Sequence, residues 1–552
     1  MDILSSQDNK QVNTYTANRS ASLRKKLFIW QEECLDVWFE NNCRGIINVV
    51  TGAGKTVFAL GAIARLESML ADDSGRILKI KIVVPKIFLA NQWSQVLKED
   101  LGVSNTDIGI FSGVRKDPYH RRFMIYVVNS ARNTLSQHIA EDYQNNNPIL
   151  LIADECHHYG SDENAHIFDF VSTIPEFDAT SKYFSLGLSA TPKTTNYNEK
   201  IVPALGPEIF KYGFEDALNA KVINNFAIFN IKLNFSKLEL EEYFELSDQI
   251  TIATAKLRHS CPYIFNQKNA NNFFALLEQL SISTANPDLA SLARTFLVIA
   301  FRRKEVVYRA GSRISCVLSL FQHISSALKV IIFNERIEIA NKLYEKLLDL
   351  YPNQVGCYHS EMDEDERKNV LIKYQNSKIR ILVACKALDE GLNIPETDIG
   401  IIVSSTNSSR QRIQRMGRIL RRSKNNNVSR LFYLYVGSSN EDQELLADMN
   451  KVMKGIIPMI DLRYDEETGS FYNKDYQMLV DKVLRYSVRK AWPPLVIAEI
   501  ERNLELGKLG CDWWQSEESC KMKIRHASTK SERNYWKCVW LVIKARLRQM
   551  DH

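Results

Sequence analysis

The chain has 552 residues, of which 45% are hydrophobic and 25% are charged. This is the composition of a globular protein, and it excludes collagen, a simple coiled coil and a largely disordered chain. At roughly 100–200 residues per domain, the length predicts three or four domains. The net charge of +6 is compatible with a polyanionic partner but does not by itself establish one.

The N-terminus and the cysteines predict a cytoplasmic protein. No apolar run approaches the roughly 18 residues that a membrane span needs, so we expect no membrane partner. The first residues lack the basic-then-apolar pattern of a secretion signal. The ten cysteines are scattered without a Cys-x-x-Cys pair, which is typical of reduced thiols. Residues 1–22 are rich in Ser, Asn, Gln and Thr and predict a disordered tail.

From residue 23 onwards, short apolar runs alternate with longer amphipathic stretches. This alternation is typical of an α/β fold, in which helices cover both faces of a parallel sheet. We expect the first such unit at 23–224, with a helix at 56–69. Its strands are predicted at 46–50, 80–84, 124–128, 149–153 and 184–188.

The pattern changes at 225–312: no strand alternation is evident after 226–233, and helical spacing predicts a connector or insertion. Strand–helix alternation returns at 313–437, which predicts a second α/β unit. We expect the remaining residues, 438–552, to be mixed and mostly helical. Strands of the second unit are predicted at 329–333, 354–358, 380–384, 399–403 and 431–436.

The first strand runs directly into a glycine-rich loop and then into a helix. Glycines let backbone N–H groups wrap phosphates, and the helix N-terminus adds a favourable dipole. A lysine in such a loop neutralises phosphate charge, and the hydroxyl after it can hold Mg²⁺. The loop therefore predicts an ATP-binding site, with Thr56 as a metal ligand. Its residues are Gly52, Ala53, Gly54, Lys55 and Thr56.

A second signal is the acidic pair Asp154 and Glu155, which follows the apolar strand at 149–153. Ligands of α/β sheets bind at the carboxyl ends of strands. We expect Asp154 to hold Mg²⁺ and Glu155 to orient and deprotonate the attacking water. The following Cys156, His157 and His158 lack the ligand spacing of a zinc site, so we expect the histidines to contact another motif and couple the nucleotide to the polymer site.

Three further segments complete a known pattern. Residues 187–192 (Gly-Leu-Ser-Ala-Thr-Pro), 384–395 and 414–421 (Gln-Arg-Met-Gly-Arg-Ile-Leu-Arg) follow in order. With the loop and the acidic pair, they make residues 25–437 resemble a superfamily 2 helicase. The Asp-Glu-Cys-His sequence at 154–157 differs from that of the DEAD-box RNA helicases. Segments 206–212 and 388–395 are similar to the XPB, RadD and restriction-enzyme translocases.

This resemblance implies two RecA-like doubly wound parallel-sheet domains facing each other across a cleft. It implies that Gln31 recognises adenine, although Phe28 replaces the arginine that is common in the family. It also implies that Gln414 positions water and that Arg418 and Arg421 act as arginine fingers on the γ-phosphate. Asn393 replaces a common aspartate, which leaves the contact expected there open.

Nucleic acid would be gripped mainly through its phosphates, in a sequence-independent and salt-sensitive way. The candidate contacts lie at or just beyond strand ends. They are Pro85, Gln92, Asn129, Ser130 and Lys386.

The last 32 residues, 521–552, carry nine Lys and Arg against two acidic residues. Together with the nearby tryptophans, they are compatible with nucleic-acid binding by charge and stacking. The alternative is an amphipathic helix with Trp536, Trp540 and Ile543 in a core and its basic residues in solvent. Cys511, Cys520, His526 and Cys538 are too irregularly spaced to predict a zinc site.

Together these features predict an ATP- and Mg²⁺-dependent nucleic-acid translocase or helicase, acting on DNA in repair, restriction or phage defence. Two alternatives stay open, because the same motor motifs serve all three functions. One is an RNA helicase. The other is an ATP-gated, DNA-sensing subunit that recruits an effector or nuclease partner.

Overall fold

A computed structural model describes most of the chain, which divides into two compact units, Met1–Gly213 and Phe214–His552. Several predicted site residues lie outside the described ranges. The described residues are 22–50, 52–70, 77–174, 182–194, 196–220, 222, 226–266, 273–324, 328–385, 397–404, 429–453, 459–473, 517–550 and single positions between 481 and 498.

A parallel sheet forms the centre of the first unit. Within the described residues it has seven strands, which are β1 (Arg44–Val49), β2 (Lys79–Val84), β3 (Ile108–Phe111), β4 (Phe123–Val127), β5 (Ile149–Asp154), β6 (Tyr183–Ser189) and β7 (Glu208–Tyr212). Their spatial order is β3-β4-β2-β5-β6-β1-β7, and every pairing is parallel. Every residue of β4 and β5 is buried, because helices cover both faces of the sheet.

The helices of the first unit connect these strands. One of them ends at Gly102, whose φ of +69° lies in the left-handed region that glycine adopts without strain. The helices are α1 (Ile29–Glu40), α2 (Lys55–Leu70), α3 (Ile87–Leu101), α4 (Val128–Ala131), α5 (Leu135–Gln144), α6 (Asp162–Ala165) and α7 (Val202–Leu205), with 3-10 turns at Cys156–Gly160 and His166–Thr173 and a π-turn at Tyr197–Ile201.

The second unit is also built on a sheet. Its described strands are β8 (Phe226–Leu233), β9 (Val330–Asn334), β10 (Val355–Tyr358), β11 (Ile381–Cys385), β12 (Ile399–Ile402), β13 (Ser429–Val436), β14 (Met459–Asp465) and β15 (Ser470–Tyr472). The spatial order is β10-β11-β9-β12-β13-β8-β14-β15, and the described pairings are parallel except for β14 with β15.

This sheet includes segments that the sequence placed elsewhere. β8 falls within the predicted helical connector but lies between β13 and β14, with six consecutive buried residues. β14 and β15 come from the predicted C-terminal extension. β8 pairs with β13 and β14 across more than 200 residues of sequence, and such pairing leaves no local pattern. β15 joins the sheet only through its hairpin with β14.

Helices of the second unit include two long antiparallel neighbours, 24 and 23 residues long, which pack around a small apolar core of their own. The first begins at a capping box, in which Ser236 and Glu239 bond each other's backbone N–H groups. The helices are α8 (Phe214–Asn219), α9 (Lys237–Ser260), α10 (Phe273–Ser281), α11 (Pro287–Arg309), α12 (Gly311–Phe321), α13 (Ile337–Leu350), α14 (Glu364–Gln375), α15 (Asn440–Met453), α16 (Glu517–His526) and α17 (Lys530–Met550).

One buried ion pair fastens helices to the carboxyl edge of the second sheet. Arg313 of α12 is fully buried, and its guanidinium bonds Asp442 of α15. It also donates to the carbonyl oxygens of Val307 at 2.8 Å, Leu434 at 3.1 Å and Val403. A buried charge is tolerated only when it is paired and hydrogen-bonded, so these contacts hold α12 and α15 to β13 as one body.

Two parallel-sheet α/β units are therefore present, as the sequence predicts. In the described part of the chain, no helix is both long enough and apolar enough to cross a membrane.

Candidate functional site

The glycine-rich loop joins β1 to α2. Gly52 and Gly54 have φ of +92° and +100°, in the region that residues with a side chain rarely adopt. Ala53 between them is fully buried. α2 begins at Lys55, and the N–H of Phe58 donates to the Gly54 carbonyl at 3.1 Å. The loop thus ends in a helix N-terminus, whose dipole favours an anion.

Gln31 fixes the conformation of this loop from α1. Its side chain is fully buried; its Oε1 accepts from the Phe28 N–H at 2.8 Å, and its Nε2 donates to the Gly54 carbonyl at 2.9 Å. A Cβ at Gly54 would lie 2.9 Å from that Nε2, at the flexible end of the Gln31 side chain, so it is the φ of +100° that favours glycine at this position. The structure therefore shows Gln31 as a support of the phosphate loop, and its recognition of adenine stays a prediction.

Lys55 lies beside the predicted base. Its ammonium is 3.6 Å from Glu155 Oε1 and 3.4 Å from the Val49 carbonyl oxygen, and both charged side chains are largely buried. A cation and a carboxylate within 4 Å in a poorly solvated site stabilise each other's charge. The described structure thus brings the phosphate loop and the acidic pair together. Thr56 lies in the first turn of α2.

Asp154 is held at the carboxyl end of β5. Its Oδ2 accepts the indole N–H of Trp93 at 2.9 Å, and its Oδ1 accepts the Glu155 N–H at 3.1 Å. Burial and the neighbouring Glu155 raise the pKa of Asp154 to about 6, against the opposing effects of Trp93 and Lys55. A buried carboxylate whose charge is only partly compensated suits a hard divalent cation, so the residues present fit Mg²⁺.

Trp93 contacts the predicted metal ligand Asp154, and sequence reasoning missed it, although its neighbour Gln92 was singled out. It is almost fully buried on α3. Leu89, Trp93 and Leu97 recur every four residues, which places them on the helix face that packs against the sheet. That spacing was visible in the sequence, but it indicates a core position and says nothing about the indole N–H.

Glu155 has a φ of +49°, which is unusual for a residue with a side chain. Such a conformation costs about 1–3 kcal/mol and is found mainly at functional sites. Glu155 follows the last residue of β5 and leads the chain into the 3-10 turn at Cys156–Gly160. The buried hydroxyl of Tyr159 lies 2.8 Å from the Asp154 carbonyl oxygen and 3.0 Å from that of Val83, which anchors this turn.

His157 connects the acidic pair to the segment at 187–192. Its Nδ1 lies 3.0 Å from the hydroxyl of Ser189, at the end of β6, and 3.5 Å from Glu155 Oε2. The same hydroxyl accepts the Thr191 N–H at 3.0 Å. The predicted contact between motifs is therefore present, while the coupling it would carry is not tested by the geometry.

A zinc role for the adjacent cysteine is not indicated. Burial raises the pKa of the Cys156 thiol, which disfavours the thiolate that metals bind. Across the ranges that the structure describes, no three His, Cys, Asp or Glu side chains converge as a metal cluster.

Four of the predicted nucleic-acid contacts lie at the carboxyl edge of the first sheet. Pro85 follows β2, Gln92 lies on α3, and Asn129 and Ser130 lie on α4, directly after β4. Asn129 accepts a hydrogen bond at 3.2 Å from Arg132, a cation that sequence reasoning missed and that also pairs with Glu163 at 2.7 Å. Their contact with nucleic acid stays a prediction.

The remaining predicted site residues, Lys386, Gln414, Arg418 and Arg421, lie outside the described residues, as does Asn393. Their roles stay predictions.

Two family models match the chain. The model described as "Type III restriction enzyme, res subunit" matches residues 21–194, and "Helicase conserved C-terminal domain" matches residues 312–423. The DNA 3'-5' translocase XPB2 of Sulfurisphaera tokodaii is 27% identical over 400 residues, which are 71% of this chain and 78% of that protein. The chain belongs to the superfamily 2 helicases, among the XPB-like and restriction-enzyme-like members.

Other comparisons agree with this helicase family. The DNA 3'-5' helicase XPB of Kineococcus radiotolerans is 22% identical over 436 residues, covering 77% of this chain and 62% of that protein. The solved structure of the ATP-dependent Type ISP restriction-modification enzyme LlaBIII bound to DNA has a TM-score of 0.50 at 12% identity, over 95% of this chain and 41% of that one. At this identity the likeness concerns the fold alone. As a member of the helicase family, the chain is an ATP-hydrolysing enzyme.

Proposed function

We propose that this enzyme is a DNA-stimulated ATPase that translocates on DNA. The observation that carries the proposal is the meeting of Lys55, Asp154 and Glu155 at the carboxyl ends of two strands of one sheet. DNA is supported as the polymer by the names of the relatives, which are DNA translocases and helicases. The Asp-Glu-Cys-His sequence, unlike that of the DEAD-box RNA helicases, supports it as well.

ATP binds with its phosphates in the loop from Gly52 to Thr56, where backbone N–H groups and the α2 dipole stabilise their charge. Lys55 turns from Glu155 towards the β- and γ-phosphates, and this frees the Glu155 carboxylate to accept a proton from the attacking water. Thr56 and Asp154 hold Mg²⁺, which when bound neutralises charge on the phosphate oxygens.

The segment at 414–421 supplies the remaining positive charge. Gln414 positions the attacking water, and Arg418 and Arg421 stabilise the negative charge on the γ-phosphate. Arginine fingers of this kind contribute about 10³–10⁵ to the rate of phosphoryl transfer. These roles rest on the resemblance of residues 414–421 to the family motif.

His157 carries the state of the nucleotide to the nucleic-acid edge of the first unit. It is within 3.5 Å of both Glu155 and Ser189, so a movement of the base on hydrolysis reaches the segment at 187–192 directly. Pro85, Gln92, Asn129 and Ser130, together with Lys386, grip the phosphates of the strand.

We infer that the enzyme works in the cytoplasm. The nine described cysteines are free and buried, which supports a reducing, cytoplasmic location. No nuclease signature is evident in the sequence, so DNA cleavage, where it accompanies translocation, belongs to an effector or nuclease partner.

The test is the steady-state ATPase rate without polymer and with single-stranded DNA, duplex DNA, forked DNA or RNA, at two salt concentrations. We expect strong stimulation by DNA that weakens as salt rises. Stimulation by RNA alone would reassign the enzyme as an RNA helicase, and no stimulation would favour a partner-gated subunit. Lys55→Ala, which removes the phosphate-binding ammonium, is the control for contaminating ATPases and should be inactive with every polymer.

A further inference from the structure

The two C-terminal helices, α16 and α17, carry the whole excess positive charge of the chain. Residues 517–550 contain nine Lys and Arg and three Glu, a net charge of +6. The rest of the chain has 62 basic and 62 acidic residues and is neutral. We call α16 and α17 together the basic hairpin. A charge concentrated in this way is typical of a surface that binds a polyanion.

The charges on α17 form a stripe. Lys530, Arg533, Lys537 and Lys544 are spaced so that, at 3.6 residues per turn, they fall within about 60° of one another. The stripe extends about 21 Å along the helix. The first three side chains are exposed and the fourth is half-buried. Among the described residues, no carboxylate forms an ion pair with any of the four.

The tryptophans of the basic hairpin are not available for stacking with bases. Trp536 and Trp540 pack against the core formed by Cys520, Val539 and Ile543. The ammonium of Lys523 lies 4.2 Å from the Trp536 ring centre, and that of Lys544 lies 4.6 Å from the Trp540 ring centre. Each ring therefore already has a cation on its face. The sequence allowed either base-stacking tryptophans or an amphipathic helix with the tryptophans in a core, and the structure shows the core. The concentration of positive charge on the basic hairpin has no part in that core.

A membrane surface fits this hairpin poorly. Interfacial helices insert an exposed apolar face between lipid headgroups. Here Val539 and Ile543 are fully buried within the hairpin, and Met522 is its one large exposed apolar side chain among the described residues. The described side chains thus offer charge with little exposed apolar surface, which matches a phosphate backbone.

We propose that the basic hairpin is a second DNA contact, which binds the phosphate backbone of duplex DNA by charge alone and tethers the motor to it. This inference rests on the proposed function, because it concerns the same polymer. A tether raises the local concentration of DNA at the motor without changing the chemical step. It therefore acts on the DNA concentration needed for stimulation and leaves the maximal ATPase rate unchanged.

The test neutralises the stripe in the full chain with Lys530→Gln, Arg533→Gln and Lys537→Gln. Binding of a fluorescent 20-base-pair duplex is followed by anisotropy from 50 to 200 mM NaCl. Loss of three phosphate contacts should lower the slope of log affinity against log salt by about 2.7. The ratio of the wild-type affinity for the duplex to that of the variant should then fall roughly 40-fold across this salt range.

Two controls separate charge from folding. Lys342→Gln, Lys346→Gln and Lys368→Gln remove the same charge from α13 and α14, where Glu338 and Glu364 pair with Lys342 and Lys368 at 2.8 and 2.9 Å. These changes should leave the slope unaltered. Lys530→Arg with Lys537→Arg keeps the charge of the stripe and should bind like the wild type.

The ATPase assay completes the test. For the stripe variant, the duplex concentration for half-maximal stimulation should rise about tenfold or more, while the rates without DNA and at saturating DNA stay unchanged. An unaltered slope and half-maximal concentration, in a protein that DNA still stimulates, would refute the hairpin contact alone. If DNA does not stimulate the wild type, the proposed function itself fails. Binding to vesicles of phosphatidylserine and phosphatidylcholine, but not to duplex, would assign the stripe to a membrane and overturn the proposal.

Discussion

At the scale of single residues, the proposed reaction depends on the ionisation state of buried side chains. Asp154 must be ionised to hold Mg²⁺, yet burial and Glu155 oppose its charge. The indole N–H of Trp93 and the ammonium of Lys55 work in the opposite direction. If Asp154 holds Mg²⁺ as proposed, the affinity for the metal should therefore depend in part on Trp93, through its hydrogen bond to the carboxylate.

Trp93→Phe tests this balance, because it keeps the ring in the core and removes the hydrogen bond to Asp154. A hydrogen bond to a charged group contributes about 1.5–3 kcal/mol, so its loss raises the pKa of Asp154 further and leaves less of the carboxyl ionised at pH 7. The Mg²⁺ concentration for half-maximal ATPase rate should therefore rise about two- to fifteenfold. A Mg²⁺ titration of the ATPase rate at pH 7 measures this. Trp38→Phe is the matched control, since its buried indole N–H bonds the Ser185 carbonyl instead. Equal Mg²⁺ dependence in both variants would contradict the assignment.

The pH dependence of Mg²⁺ use follows from the same carboxyl. With the pKa of Asp154 raised to about 6, the carboxyl is protonated below that pH, and Mg²⁺ must displace the proton. The half-maximal Mg²⁺ concentration should be flat above about pH 7 and rise about tenfold for each pH unit below about 6. A series of Mg²⁺ titrations between pH 5.5 and 8 measures it, and a flat profile over that range would show that Asp154 is already ionised. The folding stability of the metal-free protein should change with pH in the opposite direction to the Mg²⁺ affinity. A carboxyl whose pKa is raised in the folded state makes folding less favourable as pH rises towards that pKa.

At the scale of elements, the apolar strands could be predicted and the order of the sheet could not. All five strands predicted in the first unit are present, because each is a buried apolar run. β3 and β7 were missed, since one has four residues and the other is only half-buried along most of its length. β8 and β14 lie next to each other only in three dimensions, so no local signal announces their pairing. The motif residues could be predicted from the sequence, whereas the Trp93, Tyr159 and Ser189 contacts that position them could not.

The contact between His157 and Ser189 joins the turn after β5 to the end of β6. Ser189→Ala removes the hydroxyl that His157 contacts, while Lys55, Asp154 and Glu155 keep their places. The ATPase rate without DNA should stay within about twofold of the wild type, and stimulation by DNA should fall severalfold, because a lost neutral hydrogen bond is worth about 1 kcal/mol.

The matched control is Ser185→Ala on the same strand, whose hydroxyl is equally buried and donates to the Leu205 carbonyl at 2.9 Å. It should leave the ratio of stimulated to unstimulated rate unchanged. If both variants lose stimulation to the same extent, the effect is one of strand packing, and the His157–Ser189 contact has no special part in coupling.

At the scale of the whole molecule, the two units have separate cores, so we expect each to unfold in its own thermal transition. The nucleotide loop and the acidic pair both lie in the first unit, whereas the Arg313–Asp442 pair lies in the second. Arg313→Ala leaves Asp442 buried without its cation and removes the donor to Val307 and Leu434. Breaking a buried ion pair in this way costs about 3–5 kcal/mol of unfolding free energy.

Scanning calorimetry with and without a non-hydrolysable ATP analogue distinguishes the two units. The transition that the analogue shifts upwards belongs to the first unit and should be unaffected by Arg313→Ala, while the other should move down by roughly 5–15 °C. Burial already raises the pKa of Asp442, and the loss of the guanidinium raises it further. The raised pKa makes the ionised form unfavourable in the folded state, so the loss of stability in the variant should grow as pH rises. A variant in which both transitions fall together would show that the units unfold as one, and that the buried pair stabilises the nucleotide site as well.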